Sequence, residues 1–196
     1  MLKYKTVLIF GPPGTGKGTQ AKLLEKTGKY FHFSMGQMCR SLNVNTEVGR
    51  IAKNLVDKGE LLPNDLAIKL FQENINNLVR EKIFQPKEQI LILDGVPRNV
   101  EQIRLINRLV DIKKIIYLKI NPETVIERAR KRLNEEQRND DRNPDVVMRR
   151  LEIFKKETLQ MLNHYDKRLI VEIDGSKSVE KINREIINFL EKTSFV

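Results

Sequence analysis

Short, nearly continuous apolar runs alternate along this chain with stretches of helical spacing. KTVLIF (5–10) is rich in β-formers and stops at Gly11, which predicts a buried strand. YFHF (30–33), QILILD (89–94), KKIIYLKI (113–120) and RLIVEID (168–174) predict four more. A helix is expected from Lys17 to Lys29, and another in the tail, where Val179, Ile182, Ile186, Ile187 and Leu190 share one face. Strands that lack polar alternation and are joined by helices form a parallel sheet buried on both faces. The predicted class is α/β: three layers around a five-stranded parallel sheet.

Two segments interrupt this rhythm. Strands two and three are separated by residues 34–88, mostly helical in pattern and too many for one crossover helix. RLNEEQRNDDRNP (132–144) is polar, lacks apolar periodicity and reads as an exposed loop. Both are placed to cover the carboxyl ends of the strands. The 196 residues predict one large domain or one domain with small inserted subdomains.

Composition narrows the chemistry. No apolar run reaches the roughly 18–20 residues of a spanning helix, and the first ten residues are too short an apolar stretch for a signal peptide. The single cysteine, Cys39, forms no internal disulfide and leaves no multi-cysteine zinc site. A cytoplasmic protein without structural zinc or membrane contact is expected. Thirty-six Lys and Arg against 26 Asp and Glu give a net charge of +10, which points to a polyanionic partner. The arginines gather in RARKR (128–132), the RNDDR run from Arg138, and Arg149–Arg150, and no segment interleaves them with aromatics. That favours a phosphorylated small molecule over nucleic acid.

GPPGTGKGT (11–19) supplies the means to bind one. Its glycines let successive N–H groups turn inward around phosphate oxygens, Lys17 adds a point charge, and the next helix offers its positive N-terminus. The pattern G-x-x-x-x-G-K-[ST] is met except that Gly18 intervenes before Thr19, and the required strand and helix flank it. ILILD ends in Asp94, a carboxylate beside this P-loop that, with Thr19, would hold Mg²⁺ directly or through its waters.

GPPGTGKGTQ resembles the nucleoside monophosphate kinases, adenylate kinases above all, and the resemblance runs along nearly the whole chain. FSMGQMCR (33–40) is similar to the family's second-strand motif, and KGELLP (58–63) to the segment lining the acceptor base. DGVPR (94–98) with Gln102 resembles the D-G-[FY]-P-R-x-x-x-Q signature. ERARKR (127–132), RNDD (138–141) and Arg149 are similar in spacing to the lid arginines and aspartates, and DGSK (174–177) to the loop at the donor adenine.

The resemblance implies Mg²⁺-dependent transfer of the γ-phosphoryl of ATP to AMP, giving two ADP, by a monomer. It implies a single domain with a core of 1–33, 64–127 and 143–196, an acceptor-binding helical insertion over about 34–63 and a short lid over about 128–142. It implies that Gly14, Thr15, Gly16, Lys17, Gly18, Thr19, Arg128 and Lys177 bind ATP. Met35, Arg40, Glu60, Leu61, Leu62, Gly95, Arg98, Gln102, Arg138 and Arg149 would line the AMP side. Lys17, Arg132, Arg138 and Arg149 would serve catalysis, with Arg40 and Arg98 on the acceptor phosphate and Arg128 packed on the donor adenine. Arginine suits these tasks because its planar fork grips phosphate bidentately and stays charged. Asp140 and Asp141 either pair with arginines or cap the following helix.

The chain departs from the family pattern in places. Met35 stands where adenylate kinases usually carry threonine, and Val96 where an aromatic is usual. Gln37 replaces aspartate but keeps a capping box with Ser34. Asn99 resembles the UMP/CMP kinases, whereas Gln102 is the adenylate kinase choice. A UMP/CMP kinase is therefore one alternative, and a nucleic-acid-associated ATPase or non-catalytic nucleotide-binding module another. His32 is expected to pack in the core, His164 to face solvent, and Cys39 to act as a small buried hydrophobe.

Overall fold

The computed structural model describes residues 3–136 and 143–192, the side chains of 130 and 132–136 excepted. Five strands form one parallel sheet: β1 (Tyr4–Phe10), β2 (Tyr30–Ser34), β3 (Ile90–Asp94), β4 (Val110–Lys119) and β5 (Ile170–Asp174), in the order β2-β3-β1-β4-β5. Every pairing is parallel. The strand order reverses at β1, with β3 and β4 on either side of it. Such a reversal opens a crevice at the carboxyl ends of the strands.

The helices are α1 (Lys17–Glu25), α2 (Met35–Ser41), α3 (Glu47–Asp57), α4 (Asn64–Arg80), α5 (Val100–Ile106), α6 (Pro122–Glu136), α7 (Pro144–Ile153) and α8 (Val179–Glu191). Strand alternation sorts the core into two layers. Val7, Ile9, Ile92, Ile116 and Leu118 face Ala21 and Leu24 of α1 and Ile182, Ile186 and Leu190 of α8. Leu8, Phe10, Leu91, Leu93, Ile115 and Tyr117 face the other way, toward Ile68, Phe71 and Ile75 of α4 and Ile103 and Ile106 of α5. The three-layer α/β reading holds, with all five strands at their expected places.

Boundaries differ in three instructive ways. α1 ends at Glu25 rather than Lys29, because Gly28 adopts φ +76° and the amides of Thr27 and Gly28 turn back on Leu24 and Glu25. β4 begins three residues early, at Val110, absorbing the extra length as a bulge opposite Thr6 and Val7. The backbone of 132–136, expected to be loop, continues α6 instead. Arg, Leu and Glu propagate an existing helix readily even where no apolar stripe calls for it. Among the described residues, no helix is long and apolar enough to cross a membrane.

Candidate active site

The first component is the turn after β1. Gly16 takes φ +86° as the residue before α1, a left-handed conformation that a side chain would strain. Ser34, Thr46, Asn99, Asn143 and Ser178 place side-chain oxygens on the first amides of α2, α3, α5, α7 and α8. α1 and α4 have no such cap, and of the two α1 follows the glycine-rich turn. The leading N–H groups of α1, at the positive end of the helix, form an anion cradle. Lys17 Nζ lies over the turn, donating to the carbonyls of Gly11 (2.9 Å) and Pro12 (3.1 Å), and Thr15 Oγ1 donates to Pro12 (3.0 Å).

Arg128 of α6 braces the cradle. Its Nη1 donates to the Gly175 carbonyl at 2.8 Å and more weakly to Gly14 at 3.4 Å, joining the turn to the loop after β5. In that loop Asp174 Oδ1 accepts from Ser176 N and Oγ, and Lys177 pairs with Glu185 at 2.7 Å.

Asp94 ends β3 in register with Ile9 of β1 and Ser34 of β2, which brings its carboxylate beside the cradle. Burial alone would raise its pKa. The His32 imidazole, Nε2 at 3.9 Å, and the charges of Lys17 and Arg98 outweigh that and hold it below the usual value. It is an ionised oxygen donor next to the Thr19 hydroxyl's helix, a pair suited to a hard cation. Among the described residues, no cluster of three or more His, Cys, Asp or Glu forms a metal cage. Mg²⁺ in general keeps several waters and binds through one or two protein oxygens plus substrate phosphates.

Beyond Asp94 opens a cleft. α2 gives it Met35, Gly36, Cys39 and Arg40; the segment after α3 gives Gly59, Glu60, Leu61 and Leu62; the β3–α5 turn gives Gly95 and Arg98, and α5 gives Gln102. α7 contributes Arg150 and Ile153. Gly59 permits this closeness, since a Cβ there would sit 2.9 Å from the Val146 carbonyl and 3.0 Å from Arg150 Cγ. Arg98 is anchored twice, through Nε to Gly95 O (3.0 Å) and through its backbone N–H to Gln102 Oε1 (2.8 Å). Burial lowers the pKa of its guanidinium, Asp94 opposes that, and the nearby Arg150 reinforces it. With Arg40, three guanidiniums thus share one apolar-walled cleft, where an anion relieves their repulsion. An uncapped phosphate cradle and a cationic cleft meet at one carboxylate, so two phosphorylated molecules can be brought end to end.

Comparison with known proteins agrees with this geometry. The adenylate kinase family profile matches residues 9–170. The adenylate kinase of Chloroherpeton thalassium is 32% identical over 217 residues, covering 94% of this chain and 97% of that protein. That of Bifidobacterium longum is 34% identical over 192 residues, covering 94% and 99%. The chain belongs to the adenylate kinase family. A UMP-CMP kinase from Oryza sativa is also similar, 30% identical over 188 residues, covering 94% of the chain and 73% of that protein.

In this adenylate kinase family member the structure gathers Met35, Arg40, Glu60, Leu61, Leu62, Gly95, Arg98 and Gln102 around one cleft. It does not bring Arg149 there. Arg149 is half-exposed and pairs with Glu60 at 2.7 Å, while its neighbour Arg150, which the sequence reading passed over, faces the cleft. Helical phase carried the signal: Val147, Leu151 and Phe154 form the buried stripe of α7 and its continuation, with Arg150 beside that stripe and Arg149 opposite it. Arg128 meets backbone carbonyls at the cradle, and Lys177 is exposed. The side chain of Arg132, and Arg138, Asp140 and Asp141 entirely, lie outside the described residues. The cap of α7 is Asn143, whose Oδ1 accepts from Asp145 N. Ser34 Oγ accepts from Gln37 N, the expected half of the capping box. His164 is exposed. Cys39 is 3% exposed, and burial pushes its thiol up to about 11. Sequence reasoning also missed Asn64 and Thr158, which act on the cleft only through other residues.

Proposed function

We propose that this protein catalyses reversible phosphoryl transfer from ATP to AMP, giving two ADP. The observation that carries the reading is the shared boundary at Asp94 and Gly95, where the phosphate cradle ends and the arginine-lined cleft begins. Phosphoryl transfer asks little covalent chemistry of a protein, and positioning with charge neutralisation supplies most of the rate.

The cradle of Gly14, Thr15, Gly16, Lys17, Gly18 and Thr19 holds the ATP phosphates, with Lys17 leaving its carbonyl partners to reach them. Arg128 and Lys177 flank the donor nucleotide. Thr19 and Asp94 would hold Mg²⁺, directly or through water, and the ion supplies neutralisation of charge on the donor's phosphate oxygens. Arg40 and Arg98 take the acceptor phosphate, and Arg150 joins them. Met35, Leu61, Leu62 and Gln102 receive the base. The insertion over 34–63 carries the acceptor side, and the segment over 128–142 acts as a lid that brings Arg132 and Arg138 to the transferring group. Closure of such a lid excludes water and suppresses ATP hydrolysis.

Asn99 bears on the pyrimidine alternative. Its Oδ1 caps α5 through Gln102 N (3.0 Å) and its Nδ2 donates to Asn64 (2.9 Å), so both ends of the amide serve the protein. Its presence is explained without a pyrimidine substrate. A coupled assay with ATP, Mg²⁺ and each nucleoside monophosphate tests the proposal; ATP hydrolysis without transfer to any acceptor would replace it with a plain ATPase.

A further inference from the structure

Gln102 is 2% exposed yet lines the acceptor cleft, and its carboxamide sits in a network whose polarity is fixed at both ends. A glutamine amide is nearly symmetric in shape, so which end presents oxygen depends on its partners. Here Oε1 accepts from the backbone N–H of Arg98 at 2.8 Å. The Asn99 Oδ1 accepts from the backbone N–H of Gln102 at 3.0 Å. Backbone N–H groups only donate, so both assignments are forced. The two NH₂ groups must then turn toward Asn64, whose Oδ1 accepts from Gln102 Nε2 (3.0 Å) and Asn99 Nδ2 (2.9 Å). That uses both lone pairs of the Asn64 oxygen. Its own Nδ2 then needs an acceptor and finds one in the Glu101 carboxylate, which cannot donate when ionised.

We propose that Asn64 is a specificity-determining positioning residue that locks the orientation of the Gln102 amide and thereby selects an amino-bearing acceptor base. The inference rests on the reading of this cleft as the acceptor site. With one lone pair of Oε1 and one N–H of Nε2 left over, Gln102 offers the cleft an acceptor and a donor in fixed order. An adenine edge, amino donor beside ring-nitrogen acceptor, complements that order. A guanine edge, carbonyl oxygen beside ring N–H, reverses it and would require Gln102 to flip. Flipping turns Nε2 against the Arg98 N–H and Oε1 against the Asn64 oxygen, leaving buried polar groups unpaired. Uracil and cytosine stand in the same relation as guanine and adenine, so the lock sorts bases by edge rather than by size.

The test is the ratio of kcat/KM for AMP over GMP, and for CMP over UMP, in the wild type, Asn64→Ala and the double variant N64D/E101Q. Asn64 is partly exposed at the first turn of α4, where alanine is well tolerated, and thermal melting checks the fold. Should Asn64→Ala not fold, Asn64→Ser makes the same comparison, its hydroxyl being too short to bridge both amides. Without the hub oxygen, the AMP/GMP and CMP/UMP ratios should each fall about tenfold, a typical worth for one hydrogen bond of discrimination. The double variant retains an acceptor toward both amides and should keep the wild-type ratios. A parallel loss for all four acceptors with unchanged ratios would make Asn64 merely structural and overturn the proposal. A wild type that transfers to no monophosphate would instead refute the acceptor-site reading itself, so the two failures are distinct.

Discussion

Thr158 Oγ1 donates to the carbonyl oxygen of Arg98 at 2.9 Å, across sixty residues of sequence. Thr158 closes a π-helical turn, Phe154–Thr158, that follows α7, and it is 3% exposed. The helix carrying Arg150 and the loop carrying Arg98 are thereby fastened together behind the cleft they both line. Thr158→Val keeps the shape and leaves a buried carbonyl unpaired, which should cost about 1–3 kcal/mol of stability. Urea denaturation measures this. The same variant should raise KM for AMP more than KM for ATP, because the fastening lies on the acceptor side.

Lys17→Met should leave the fold intact, since the ammonium is only partly buried and donates to the Gly11 and Pro12 carbonyls of its own turn. Phosphoryl transfer should fall by on the order of 10²–10³-fold or more, the loss seen when a group stabilising developing charge is removed. Steady-state kinetics on a variant with an unchanged melting temperature is the check, and near-normal turnover would rule out the cradle assignment.

Arg149 and Arg150 should separate sharply. Arg150→Ala removes a cation from the cleft, and kcat/KM for AMP should drop on the order of 10³-fold if the group acts on the transferring phosphoryl. Arg149→Ala breaks an exposed ion pair with Glu60 worth about 0–1 kcal/mol, so its effect should stay within about tenfold. Equal and large losses in both would contradict this division.

The strands, the cradle and the β3–α5 signature were legible because each is local: apolar runs, glycines at fixed spacing, and a DGVPR turn with Gln102 one helical turn on. Arg150 was not, because spacing along the chain cannot tell two adjacent arginines apart. The facing of α7 decides between them, and that depends on Val147 and Leu151 packing against Val125 and Ala129 of α6. Asn64 and Thr158 were invisible for a related reason. Their partners lie 38 and 60 residues away, and nothing in NDL or KET announces a contact that only the tertiary fold creates. The extension of α6 to Glu136 shows the limit of apolar periodicity, since that stretch is helical without an apolar stripe to mark it.

Cys39 should be inert at neutral pH, because its thiol is buried and pushed up to about 11. Alkylation by iodoacetamide at pH 8 should be far slower in the native protein than in the urea-unfolded chain. The folded state holds the thiol proton more tightly than the unfolded state, so this contribution to stability is complete below the unfolded pKa and is lost as pH rises from about 9 toward 11. Asp94 acts in the opposite sense. Its pKa is depressed in the fold, so its contribution is complete above the unfolded value near 4 and is lost on further acidification. Denaturation midpoints in Cys39→Ala and wild type across pH 8–11 should converge if the first assignment is right.

The most direct measurement is kcat/KM for AMP, CMP, UMP and GMP with MgATP as donor, taken on one preparation of the wild-type protein. AMP should be the best acceptor, because a purine spans the cleft from the arginines to Gln102 and its amino edge matches the fixed amide. Met35 alters the apolar wall without adding a donor or acceptor, so the margin over the next base should be about 10–200-fold, the range open to a largely apolar slot. A pyrimidine monophosphate ahead of AMP would contradict the account.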